Sequence, residues 1–189
     1  MTIWFTSDQH YGHKRICEFA KRPFSDIVEM REELIQRHNE VVESGDLVYH
    51  LGDFAFLDDV EAIKIARRLN GNRYLIWGNH DKKLRKSKQF VSQWIWCKDY
   101  AEIDVPGDPG TKVILAHYPF LTWNKSHHGS FHLHGHCHGS LKPDPGARRV
   151  DVGVDCWNYY PVSFEEVAEV MSKKVFKPVD QHGARDFEV

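Results

Sequence analysis

Cysteine is scarce and dispersed: Cys17, Cys97, Cys137 and Cys156 show no Cys-x-x-Cys spacing. That scarcity excludes a compact disulfide framework and fits reduced thiols in a cytoplasmic protein. No apolar run approaches the roughly 20 residues of a membrane span. The amino-terminal apolar run is interrupted at once by Ser7 and Asp8, too early for a signal peptide. Basic charge is not in excess either. A formal net charge of -2 gives no overall field for nucleic acid, so only a local basic patch could attract it. Internal repeats, linkers and low-complexity tracts are absent from the sequence. The 189 residues suit a single domain, 1–189, with a core over about 1–173 and a carboxy-terminal extension over 174–189. The one unusual abundance is histidine, with 13 copies, six of them from His127 to His138.

Four short β-prone runs, Thr2–Thr6, Leu47–Leu51, Arg73–Trp77 and Lys112–Ala116, each lead into a polar cluster. Their near-continuous apolar content predicts strands buried on both faces. Helical spacing alternates with them. Ile27, Met30, Leu34, Ile35, Val41 and Val42 follow Ser25, a candidate N-cap, and precede Gly45. A second helix is expected from Asp58 or Asp59 through Leu69. Ser163 to Glu166 forms a capping-box pattern, with Val162 and Val167 as its staple, and predicts a third helix to about Lys173. This alternation argues for an α/β fold, and Ser130–Leu133 with Val150–Val154 adds a second sheet.

Five polar clusters carry the chemistry: Ser7-Asp8-Gln9-His10, Leu51-Gly52-Asp53, Gly78-Asn79-His80-Asp81, Ala116-His117-Tyr118 and His134-Gly135-His136-Cys137-His138. Ligands beyond the carboxyl ends of successive strands converge on one rim of an open α/β sheet. Asp8 and His10 lie two apart, so an extended strand end would point both the same way. Gly52 before Asp53 permits close backbone approach. Carboxylate, amide oxygen and imidazole together suit divalent transition metals better than calcium. Two such ions point to phosphoester hydrolysis.

The order Asp-x-His, Gly-Asp, Gly-Asn-His-Asp, His, Gly-His-x-His resembles the calcineurin-like metallophosphoesterases, with all five blocks intact between Asp8 and His138. The stretches DQHYGHKRI, VYHLGDFAF and DVGVDCWN resemble a compact bacterial and phage branch without a large cap domain. The resemblance implies a four-layer α/β/β/α sandwich of two mixed sheets flanked by helices. It implies two divalent ions, manganese foremost, with iron, zinc or nickel compatible. Asp8, His10, Asp53 and His138 would hold one, and Asp53, Asn79, His117 and His136 the other, so that Asp53 bridges. His80 would be the general acid and Asp81 would orient it.

Further residues are open. His13 is a candidate substrate contact or a cap of the following helix. Arg148 is a candidate phosphate contact. Cys137 lies between two ligands and is expected to be a packed spacer, and His134 is expected not to ligate the pair. Lys82, Lys83, Arg85, Lys86 and Lys88 form either a solvated face or a rim for polyanions. Trp123, Trp157, Tyr159 and Tyr160 belong either to the core or to a base pocket. The expected activity is a phosphodiesterase on small or nucleotide-derived esters, with no membrane association and with protein partners unspecified. The alternatives are a nuclease on single-stranded or structured nucleic acid, a non-catalytic metal-binding scaffold, and a structural zinc module at His134–His138.

Overall fold

The computed structural model describes residues 1–177 and 179. Its first sheet contains β1 (Ile3–Thr6), β2 (Leu47–His50), β3 (Asn72–Ile76) and β4 (Cys97–Lys98), all parallel. The second contains β5 (Tyr100–Val105), β6 (Asp108–Ala116), β7 (Phe131–His134) and β8 (Arg149–Asp151). There β5 and β6 are antiparallel, whereas β7 runs parallel to both β6 and β8. β9 (Val162–Ser163) returns to pair antiparallel with β1, giving the order β4-β3-β2-β1-β9. Two mixed sheets with helices are therefore present: the patterning predicts an α/β fold with a second sheet, and the family resemblance implies that both are mixed.

The helices are α1 (Ile16–Phe19), α2 (Ile27–Val41), α3 (Asp59–Ala66), α4 (Lys88–Val91) and α5 (Phe164–Ser172). Met30, Leu34 and Ile35 of α2 share a core with Ala62, Ile65 and Ala66 of α3, Phe90 of α4, and Leu75 of β3. A second core fills the space between the sheets. Phe5, Leu51 and Ile76 meet Val113, Leu115 and Leu133 there, joined by Phe164, Val167 and Met171 of α5. Strands buried on both faces, as their apolar content requires, separate these two cores. On the other side of the second sheet His132 stacks on Phe120 and contacts Trp123.

Local details depart from the expected boundaries for identifiable reasons. Asp26, not Ser25, caps α2, because its carboxylate accepts from the Val28 and Glu29 amides. Ser25 instead donates its own amide and hydroxyl to Glu29. α2 ends at Val41, where Val42 turns extended, ahead of Gly45. α3 stops at Ala66 rather than Leu69. The capping box at α5 is fully formed, and Val162 and Val167 are both buried. β4, β5 and α4 were not legible as elements. The proposed extension at 174–189 lies mostly outside the described residues.

Candidate metal centre

The parallel strands end in register, with Thr6 beside His50 and His50 beside Leu75. Asp8, Asp53 and Asn79 follow within three residues of those ends, and His117, His136 and His138 follow β6 and β7. Convergence does not come from extended alternation at Asp8 and His10. Both have left-handed backbones, as do Asp53, His136 and His138, with φ between 48° and 69°. Asp and His tolerate this region better than most side chains, and such conformations concentrate at functional sites. Two glycines allow the resulting close approaches. A Cβ on Gly78 would lie 2.2 Å from Asp53 Oδ1, and one on Gly135 would lie 2.3 Å from Asp8 Oδ2.

Two triads result. Donor atoms of Asp8, His10 and His138 lie within 4.8 Å of one another, as do those of Asp53, His117 and His136. Asp53 Oδ2 stands 3.6 Å from His10 Nε2 and 3.5 Å from His117 Nε2, so one carboxylate oxygen faces both triads. Asn79 Oδ1 lies 2.9 Å from His117 Nε2 and 3.0 Å from His136 Nδ1. His10 Nε2 and His138 Nε2 are 3.2 Å apart. All seven expected ligands are thus brought together.

Surrounding groups fix the orientations. His117 Nδ1 bonds the Leu51 carbonyl at 2.7 Å, leaving Nε2 to face the site. His138 Nδ1 bonds Asp155 at 2.6 Å. Arg22, fully buried at its side chain, grips both oxygens of Asp155 and also donates to the carbonyls of Asp8 and Gln9. Asp81 was expected to orient His80. Its carboxylate instead accepts from the Asp53, Phe54 and Gly78 amides, each at 2.9 Å, and so holds the Asp53 turn. Arg22 and Asp155 were missed by sequence reading, since a role for either appears only when the fold joins them.

The electrostatics suit cations. Asp8 is fully buried, its Oδ1 has no hydrogen-bond partner, and burial raises its pKa to about 7. That orphaned oxygen lies 3.8 Å from His10 Nε2 and 3.9 Å from His138 Nε2. Burial lowers His10 to about 2, which keeps its imidazole neutral. For Asp53 burial pulls upward, but His117, the His80 amide and His10 outweigh it and bring the carboxyl to about 2. His117 and His138 are pulled down by burial, yet their carboxylate neighbours prevail and raise both. A divalent ion satisfies the same carboxylates that otherwise draw protons onto these rings, so the donor set fits two transition metals.

An open cleft of about 870 Å³ adjoins the triads. His80 sits in it, 44% exposed, with Nε2 3.9 Å from Asp53 Oδ2. His13 also lines it, stacked on Phe56 at 4.3 Å, and Phe56 in turn packs on His80 at 4.5 Å. Phe19 and Lys21 complete this wall, and sequence reading singled out neither. Arg148 is not brought here. It bonds the Gly129 carbonyl and packs over Phe131 and Phe176. The basic run is elsewhere too: Arg85 pairs with Asp99, while Lys83 and Lys86 share a surface hollow with Asp58 and Asp59. Trp123 is buried, Tyr159 packs on Phe24, Tyr160 bonds Glu40, and Trp157 bonds the Asp151 carbonyl.

Residues 1–157 match the family model described as Calcineurin-like phosphoesterase. An uncharacterized protein of Methanocaldococcus jannaschii is 30% identical over 186 residues, covering 94% of this chain and 96% of its own. The gene 66 protein of Mycobacterium phage L5 is 30% identical over 195 residues, covering 89% and 93%. Among solved structures, a protein of unknown function from Aquifex aeolicus superposes with a TM-score of 0.67 at 23% identity, over 89% of this chain and 98% of that one. That last likeness concerns the fold.

Proposed function

Because this chain belongs to the calcineurin-like phosphoesterase family, we propose that it is a metal-dependent phosphodiesterase acting on small or nucleotide-derived esters. The observation that carries this reading is Asp53 Oδ2, placed 3.6 Å and 3.5 Å from a histidine of each triad. One carboxylate oxygen serving two triads is what a paired site requires. In this reading Asp8, His10, Asp53 and His138 hold one ion, and Asp53, Asn79, His117 and His136 hold the other. Two ions, with manganese foremost and iron, zinc or nickel compatible, supply Lewis acidity that activates water and neutralises phosphoryl oxygens.

The remaining roles belong to side chains. His80, exposed at the cleft and beside Asp53, is positioned to give a proton to the departing oxygen. Phe56 and His13 present a flat aromatic wall for a planar substituent. Lys21 is the only Lys or Arg among the described residues of the cleft, a lining better suited to a diester monoanion than to a more highly charged monoester. The basic run lines no part of this cleft and is partly paired, which weighs against a nuclease.

The test is a panel of bis-aryl phosphate, mono-aryl phosphate, cyclic nucleotides and single-stranded DNA, assayed with manganese-loaded protein. The bis-aryl diester is expected to turn over fastest. His80→Ala should lower kcat about 10²–10⁴-fold while elemental analysis still finds both ions. Inactivity on the whole panel with both ions bound would favour a non-catalytic scaffold.

A further inference from the structure

A third convergence of donors lies beside the paired triads and is not used by the proposed hydrolysis. β7 and β8 pair in parallel with His134 opposite Asp151, so sheet register alone brings an imidazole and a carboxylate together. Cys137 lies in the turn between His136 and His138. One donor atom from each of His134, Cys137 and Asp151 lies within 4.8 Å of the others. The turn thus presents its two histidines to the paired triads and the intervening thiol to a different pair of residues.

We propose that His134, Cys137 and Asp151 form a separate mononuclear metal site that takes zinc or a divalent ion of similar softness. The donor set is one sulfur, one nitrogen and one oxygen, a mixture that favours zinc over the harder ions. Tetrahedral zinc with bonds of ~2.0–2.3 Å needs donors roughly 3.3–3.8 Å apart, a contraction of about 1.5 Å at most for donors that lie within 4.8 Å of one another.

The surroundings are those of a prepared site. His134 is buried, and its Nδ1 lies 2.9 Å from the Gly135 carbonyl, which fixes the proton there and leaves the Nε2 lone pair to be offered. Asp151 is oriented through both oxygens: Oδ1 accepts from the Gly153 amide at 2.8 Å, and Oδ2 from the Gly139 amide at 3.1 Å. Three protein donors leave a fourth position for water. A cavity of about 320 Å³ reaches two of the three donors, walled by His134, Gly139, Asp151, Cys156 and Trp157 among others, while Cys137 borders the larger cleft. Cys156 lines this opening and is assigned no ligand role. An ion here would tether the turn carrying His136 and His138 to the end of β8.

Cobalt substitution separates this site from the pair, because the seven ligands proposed for the pair contain no sulfur. The full chain, stripped of metal and titrated with Co²⁺, is expected to bind a third equivalent and to show a near-ultraviolet thiolate-to-cobalt charge-transfer band. Cys137→Ser should abolish the band and the third equivalent while two equivalents remain, which also certifies that the variant is folded. His134→Gln, which leaves the His136–His138 turn unaltered in sequence, should lose the third equivalent and the band as well. Cys156→Ser should retain both. Wild-type protein that binds two equivalents without the band overturns the proposal, as does a band that persists in Cys137→Ser or His134→Gln. These readouts hold whether or not any phosphoester is cleaved.

Discussion

His138 draws its orientation from two residues far away in sequence. Asp155 accepts its Nδ1 proton, and Arg22, 133 positions from Asp155, holds that carboxylate in place. Asn at position 155 keeps the shape and one acceptor, but it removes the charge that fixes both His138 and the buried guanidinium. Asp155→Asn should therefore weaken binding at the Asp8–His10–His138 position by about 10–100-fold, the usual effect of losing a group that orients a metal-bound histidine. Manganese titration followed by electron paramagnetic resonance checks this, and unchanged affinity would show that His138 needs no such support. The same residues mark the limit of sequence reading. Asp8, His10, Asp53, Asn79, His117, His136 and His138 were legible because their donor chemistry recurs behind successive strands. Arg22 and Asp155 were not, because a salt bridge across 133 positions leaves no local pattern. Nor could sequence show that five of the seven adopt left-handed backbones, or that Asp81 serves backbone amides rather than His80.

At the scale of elements, the segments with strong local signals were the legible ones. The α5 capping box was readable because both of its partners lie within one turn. β4 and the edge of β5 were not, since two exposed or half-buried residues, Cys97 and Lys98, carry no periodicity. α2 shows how burial alters an ordinary residue. His38 faces its core, donates Nε2–H to the Asn70 carbonyl, and is lowered by burial from 6.5 to about 4. The folded pKa lies below the unfolded one, so between those values the unfolded chain binds the extra proton. Stability from this contact is fully present above pH 6.5 and is lost as pH falls toward 4, at a limiting slope of about 1.4 kcal/mol per pH unit. Urea midpoints at pH 7 and pH 5 should differ less in His38→Gln than in the parent chain. An equal drop in both would mean that other groups carry the acid sensitivity.

Across the whole molecule, the paired triads join the two sheets. Asp8, His10, Asp53 and Asn79 follow strands of the first sheet, and His117, His136 and His138 follow strands of the second. The apolar core between the sheets lies below them, and at the rim the orphaned Asp8 oxygen faces histidines from both sides. Ions bound there favour the native state alone, since the unfolded chain cannot assemble seven donors from five separated clusters. At free metal 1,000-fold above Kd, such binding stabilises by about 4 kcal/mol per site. For a chain of this length each kcal/mol moves Tm by roughly 2–4 °C, so stripping even one ion should lower Tm by about 8–16 °C. The measurement belongs in the Cys137→Ser chain, where the proposed thiolate site does not contribute. Asp53→Asn should shrink the chelator-induced shift markedly, because the shared oxygen serves both positions. Suppose the chelator removed both ions, verified by elemental analysis, and Tm did not change. The ions would then bind without joining the sheets, and the stability of the rim would have to come from the Arg22–Asp155 pair and the backbone contacts of Asp81.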